Sequence, residues 1–486
     1  MPFLVPWLSL AIAIPLVAAF VVRFRRDADE SRRISLIAGS LTMACTLVAW
    51  ASFSSFGSNE AHDRFDLGLQ LADNPLWVID CLSAPLLPLV ALLYLLTLLA
   101  TLRTKVRRFS FAGQLVSESL LLATLSCRHP WVIIGLLAAA TIPPWAELRL
   151  RRQSTRIFTL HMALFVLLLI AGQWLIAVSP VDEPSSIVGI GLLIGAVLVR
   201  SGAIPVHGWM TNLFENAAFG TSLLFVTPMV GAYAAMRLVL PIAPEWTLHA
   251  IAVVSVLTAI YAAGMALVQR DARRFFCYIF LSHSSLVFVG LETVTTIGLT
   301  GALCAWLAIS LSMTGFGLTL RSIEARTGPL SLDKFHGLYE HTPRLAALFL
   351  VTGLASIGFP GTVGFIGGDL LVEGAVQLYP LIGMAVVIVA GLNGIAVLHA
   401  YFRVFTGTRH HASIDLHLRA PERIAVLILI ALVIGGGLYP QPGVLSRYHA
   451  ATELIEQRQV TADAQLKPKP IGVASPAPLT VAKPGA

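Results

Sequence analysis

Several ionisable residues fall within or beside long apolar runs: Glu118, His161, Arg200, His207, His283, Asp369, Glu373 and His399. Ionisable side chains in such surroundings are costly, and they mark ion or proton paths. Carboxylates and imidazoles take up and release protons, whereas a guanidinium stays charged and can hold a carboxylate or gate a path. Arg200 opens the stretch Arg200-Ser-Gly-Ala-Ile-Pro205-Val-His207-Gly-Trp209, and Glu215 follows closely enough to pair with it. Asp369 and Glu373 are four residues apart, which puts both on one helix face. The chemistry this set suits is movement of protons or cations, and no catalytic residue is assigned. The blander reading makes each histidine a hydrogen-bonded packing residue, and Glu118 and Glu373 interfacial charges that snorkel.

The elements that must position these groups are membrane helices. The chain of 486 residues is 56% hydrophobic and 12% charged, with a mean hydropathy of +0.80. Soluble domains carry about 25% charged residues. A spanning helix needs about 20 mostly apolar residues. Candidates lie at 4–22, 34–53, 80–102, 111–127, 132–145, 157–178, 187–204, 217–240, 248–268, 275–291, 297–320, 345–365, 378–404 and 424–438. The expected fold is all-α and polytopic, with about 14 spans. The first span is read as a retained helix, because it has neither a basic leading region nor a small-residue cleavage site.

Two spans contain helix breakers. The seventh runs into Gly202 and Pro205, and the twelfth into Ser356-Ile-Gly358-Phe-Pro360-Gly-Thr-Val-Gly364-Phe-Ile-Gly-Gly-Asp369. Proline removes a backbone donor and clashes with the preceding turn. Paired broken helices in two halves of a chain point to inverted repeats around an ion site at mid-depth. The helix breaks are placed at Pro205, Gly358, Pro360 and Gly364.

Loops after odd-numbered spans are basic: Arg23, Arg25, Arg26, Arg32 and Arg33; Arg103, Lys105, Arg107 and Arg108; Arg149, Arg151, Arg152 and Arg156; Arg270, Arg273 and Arg274. Even-numbered loops are acidic or neutral instead, as at Glu60…Asp63 and Asp182-Glu183. This alternation puts the basic loops in the cytoplasm and both termini outside, in a multi-pass protein of the cell (cytoplasmic) membrane. It also removes nucleic acid as an explanation of the net charge of +7. The five cysteines are scattered singly, with no metal spacing. No glycine-rich dinucleotide motif or cysteine ligand set is present in the sequence. Neither a cofactor nor a metal is therefore expected on this chain. Residues 1–455 form the transmembrane domain, and 456–486, rich in Pro and Ala, are expected to be a disordered tail.

These motifs resemble the antiporter-like proton-channel subunits of respiratory complex I and the multisubunit cation antiporters. Arg200-Ser-Gly-Ala-Ile-Pro-Val-His-Gly-Trp209 is similar to that family's Lys-Ser-Ala-x-x-Pro-x-His-x-Trp. Asp271-Ala-Arg-Arg-Phe-Phe-Cys-Tyr278 with Ser282, Gly358-Phe-Pro-Gly-Thr-Val-Gly-Phe365 and Asp80-Cys-Leu-Ser83 resemble further family segments, in family order. The resemblance implies that the family's lysine stands at Arg200 and its span-five glutamate near Ala138 or Ala139. It puts two second-half lysines near Met313 and at Gly368, beside Asp369. The family's span-eight motif stands here as Ala217-Ala-Phe-Gly-Thr-Ser-Leu-Leu-Phe225, without its prolines and histidine.

What the resemblance implies is a membrane subunit like the proton-translocating subunits of NADH-quinone oxidoreductase. It would carry protons and couple their movement to a partner's reaction. Quinone would act only through partner subunits, and catalysis would belong to them. Two alternatives stay open: the membrane half of a proton-coupled bicarbonate or carbon dioxide uptake complex with a soluble zinc protein, and a non-pumping structural subunit. Expected partners are other membrane and soluble subunits of a hetero-oligomer, and the lipid bilayer.

Overall fold

With no water in a bilayer core to satisfy peptide groups, apolar runs of this length close their hydrogen bonds internally and fold as helices. The computed structural model describes residues 2–64, 75–101, 109–179, 184–407 and 419–466. The chain runs through β1 (Pro2–Phe3), α1 (Trp7–Arg23), α2 (Ala28–Phe56), β2 (Glu60–Asp63), β3 (Val78–Asp80), α3 (Leu86–Leu99), α4 (Phe111–Leu125), α5 (Pro130–Ala139) and α6 (Ile142–Leu150). It continues with α7 (Arg156–Val178), α8 (Pro184–Ser201), α9 (Gly208–Asn216), α10 (Phe219–Val226), α11 (Val230–Ala234), a π-helical turn over Ala235–Val239, α12 (Glu245–Val268) and α13 (Ala272–Thr293). The last elements are α14 (Thr296–Thr327), α15 (Pro343–Ser356), α16 (Val363–Leu378), α17 (Pro380–Phe405), α18 (Ala420–Leu438) and α19 (Gln441–Leu466).

Among the described residues, ten stretches are long and apolar enough to cross a membrane, and four shorter apolar helices accompany them. Each of the expected spans coincides with one of these. Side-chain caps set several boundaries: Asp27 starts α2, Ser110 α4, Asp271 α13 and Thr295 α14. The fold departs from a purely helical one in a small three-stranded sheet, β1 parallel to β2 and β2 antiparallel to β3.

Both expected breaks are present, and two further spans are interrupted. The fifth span is also divided, into α5 and α6 ahead of Pro143 and Pro144, and the eighth is divided at Thr227-Pro228-Met229. Pro228 cannot supply the donor that a continuous helix needs, and Met229 turns into the left-handed region at φ +53°. The helix α19 crosses the boundary expected at 456 and runs on to Leu466. The remainder of the expected tail, 467–486, lies outside the described residues, as do 102–108, 180–183 and 408–418 with their charges.

The long helices α13 and α14 form the buried centre: the apolar windows of both are almost entirely enclosed. Around them the helix pairs close on small residues. A Cβ at Gly301 of α14 would lie 2.4 Å from the Leu371 amide, and one at Gly374 of α16 would lie 2.4 Å from the Gly298 Cα. Backbones this close are the small-residue packing of membrane helices. It fixes which face of α16 is buried: Gly367, Leu371, Gly374 and Ala375.

Candidate functional site

At the first break, α8 ends one residue after Arg200, and Gly202 turns the chain at φ +75°. A cis Ile204–Pro205 peptide follows, and the helix resumes as α9 at Gly208. Arg200 is 6% exposed. Its guanidinium carbon lies 4.0 Å from the Phe225 ring centre and 5.4 Å from that of Trp209. Its Nη2 donates to the Phe225 carbonyl at 3.0 Å. The Trp209 indole is held in turn by donation to the Val199 carbonyl at 2.9 Å. Two π faces and a carbonyl replace the water that the cation has lost.

The expected Arg200–Glu215 pair does not form. The short helix α9 carries Glu215 to its exposed far end, where the carboxylate pairs with Arg274 at the start of α13. His207 lies in the break itself, with its ring 5.5 Å from Tyr261 and 5.9 Å from Tyr278. His161 is within electrostatic reach of it. Glu118, on α4, is fully buried, and neither carboxylate oxygen has a hydrogen-bond partner among the described residues. Tyr94, buried on α3, lies within electrostatic reach of both Glu118 and Arg200. No motif marked Tyr94, because it sits in an unbroken leucine-rich helix.

At the second break, α15 ends at Ser356, Gly358 takes φ +78°, and α16 starts at Val363. Pro360 lies in the turn and Gly364 in the first turn of α16. Here the helices part around a cavity of about 270 Å³ lined by His283, Ser356, Gly358, Gly364, Gly368 and Asp369, among others. His283 is 3% exposed, and its Nε2 has no hydrogen-bond partner among the described residues. Asp369 and Glu373 share one face of α16 as expected, and that face is exposed. His399, in contrast, is exposed and accepts from Arg403 at 3.2 Å, away from either break.

One helix joins the two breaks. On α13, Ser284 lines a small cavity of about 20 Å³ with Arg200, while its neighbour His283 lines the large cavity with Asp369. Ser282, just before them, accepts from Asn393 of α17 at 2.9 Å and donates to the Ala259 carbonyl of α12 at 2.9 Å. This run of polar residues is buried throughout.

Two further charged clusters were not legible as sites. Glu147 of α6 accepts from Arg151 and from the Ala218 amide, each at 2.8 Å, and so caps the start of α10. The buried Asp80 accepts from Arg237 at 2.6 Å, Arg128 at 2.7 Å and the Ser83 amide at 2.9 Å. The helix α19 joins this second cluster. Its Glu453 accepts from Arg128 at 3.3 Å, and its Arg447 donates to the carbonyls of Cys81 and Leu82 at 2.6 and 3.1 Å. Burial, followed by the nearby charge of Asp80, pushes the Glu453 carboxyl above the usual range. Among the described residues no three His, Cys, Asp or Glu side chains converge into a metal-holding group.

A family model described as "NADH:quinone oxidoreductase/Mrp antiporter, TM" matches residues 152–393, the stretch that holds the first break, α13 and the second break. The chain belongs to this family. A relative in it is the NAD(P)H-quinone oxidoreductase chain 4 1 of Synechococcus sp. (strain JA-3-3Ab), 28% identical over 95% of this chain and 94% of that protein. Among solved structures, a chain of respiratory complex I from Thermus thermophilus shares the fold with a TM-score of 0.81 at 22% identity. The match covers 93% of this chain and 99% of that one. A chain of the Mrp complex from Dietzia sp. DQ12-45-1b gives 0.83 at 17% identity, over 95% and 99%. This antiporter-like subunit is a multi-pass membrane protein. Its departures from the family motifs now have places: Ala138 and Ala139 end α5, Met313 is buried in α14, and Gly368 borders the large cavity.

Proposed function

We propose that this chain translocates protons as a membrane subunit of a multisubunit complex of the NADH:quinone oxidoreductase or Mrp antiporter type. The observation that carries the reading is α13, which puts Ser284 against the Arg200 cavity and His283 in the Asp369 cavity. Groups able to change charge stand toward both ends of this route: Glu118, which shares Tyr94 with Arg200 as an electrostatic neighbour, and His283 with Asp369 at the second break. Proton relays need such groups within reach of one another or of bridging water. Arg200 keeps its proton, so its role is a fixed positive charge that orders the groups around it. His207, Glu373 and the ion pair of Glu215 flank the route. The redox or antiport reaction, with any quinone chemistry, belongs to partner subunits, and this chain supplies the proton path without a cofactor of its own. The basic loops face the cytoplasm, and both termini face outward.

The test is proton uptake by vesicles holding the purified complex. Arg200→Ala is expected to bring uptake down to that of protein-free vesicles while every subunit stays in place. Retained uptake would take Arg200 off the path. A wild-type complex that moves no protons would turn the reading to a structural subunit.

A further inference from the structure

The face of α16 opposite α14 combines features that lipid does not suit. Asp369 and Glu373 are exposed there, one turn apart, and no ion pair to either is present among the described residues. Around them Phe359, Phe365, Val376 and Val387 are exposed apolar side chains. A carboxylate facing hydrocarbon at the centre of a span costs about 2.5–3.5 kcal/mol. The large cavity opens on this same face, since Asp369 and Val387 both line it and both are exposed. At its inner end stands His283, enclosed and with its Nε2 unmatched among the described residues. Beside Asp369, a Cβ at Gly368 would meet no atom within 4 Å. The site therefore has a carboxylate at its mouth, a hydrogen-bonding nitrogen at its inner end and empty volume between.

We propose that a lysine or arginine side chain from a transmembrane helix of a neighbouring subunit enters this cavity. Its stem lies along the apolar walls, its charged head pairs with Asp369, and it donates to His283 Nε2. Glu373 meets the same helix one turn away. Charge decides the occupant: two carboxylates repel an anionic headgroup, and a second copy docked by two-fold symmetry would set this acidic face against itself. The proposal rests on the reading of the chain as a subunit of a membrane complex, but it is tested by contact rather than transport.

The experiment places a benzophenone amino acid at Val387 in the full complex, irradiates native membranes and maps the adduct by mass spectrometry. The expected adduct lies within one helical turn of a lysine or arginine in a membrane span of a different subunit. An adduct to lipid, to another copy of this chain, or to a helix without a basic residue overturns the proposal. Asp369→Lys and the shape-preserving Asp369→Asn are each expected to lower the adduct yield several-fold. Changing the partner's basic residue to aspartate is expected to restore the yield with Asp369→Lys. Unchanged yield in both variants, or no restoration, overturns the pairing. An adduct in vesicles without proton uptake would keep the docking and remove the transport reading, and uptake without the adduct would do the reverse.

Discussion

At the first break a cation is sealed in: Arg200 is nearly enclosed, two aromatic rings face it, and the adjoining cavity is about 20 Å³. At the second break an anion is left at an opening: Asp369 is exposed at the edge of a cavity of about 270 Å³. Both breaks use a glycine in the left-handed region, Gly202 and Gly358, and both contain a proline. The backbone device is shared and the side-chain environment is opposite. A break frees peptide groups and opens space, and the residues around it decide whether that space is filled from within or kept for something else.

The largest expected effect tests the sealing. Trp209 is fully buried and carries both the contact with Arg200 and the bond to Val199. Trp209→Ala is expected to destabilise the chain by about 3–5 kcal/mol. Phe365, the ring beside the second cavity, is 40% exposed, and Phe365→Ala is expected to cost only about 1–2 kcal/mol. Thermal unfolding of the two variants in detergent checks this. Equal losses would mean that the second break is packed as tightly as the first.

The next effect separates function from stability. Glu118 is buried without a hydrogen-bond partner among the described residues, so its charged form is held at a cost. Glu118→Gln is expected to lower proton uptake strongly with no loss of stability, since the carboxyl gives up no hydrogen bond among the described residues. Asp369→Asn, at the exposed site, is expected to leave the stability of the isolated chain unchanged. A loss of stability in Glu118→Gln would reveal an ionic partner for that carboxylate and end the contrast.

How much of this was legible in sequence follows the range of the interactions. The spans and the breaks at 202–207 and 357–362 are local: apolar length and glycine–proline punctuation state them directly. The break at Pro228 is just as local, but proline is common in membrane helices, so a single one in an apolar run does not compel a break. The Arg200–Glu215 expectation failed because nearness in sequence was taken for nearness in space, and the turn at Gly202 sends the two apart. The charge cluster at Asp80 joins residues 48, 157 and 373 positions away in the chain (Arg128, Arg237 and Glu453). No periodicity reports such pairings. The exposure of Asp369 and Glu373 was likewise invisible, because a shared helix face says nothing about what that face meets.

The smallest effect concerns a carboxylate between the two extremes. Glu453 lies outside the spans, partly buried and bonded to Arg128, where burial and Asp80 raise its pKa. A carboxyl whose folded value lies above its unfolded value of about 4.3 binds its proton more tightly when folded. Its stabilising contribution is complete below the unfolded value and is lost as the pH rises through the folded one. Glu453→Gln removes that dependence while keeping an acceptor for Arg128. The variant is expected to be more stable than the wild type at pH 8, with the difference shrinking toward pH 5. Thermal unfolding across that range reads the difference directly. A variant less stable at pH 8 would mean that the bond to Arg128 outweighs burial. Glu453 would then belong with the exposed, pairable carboxylate of the second break rather than with the enclosed Glu118.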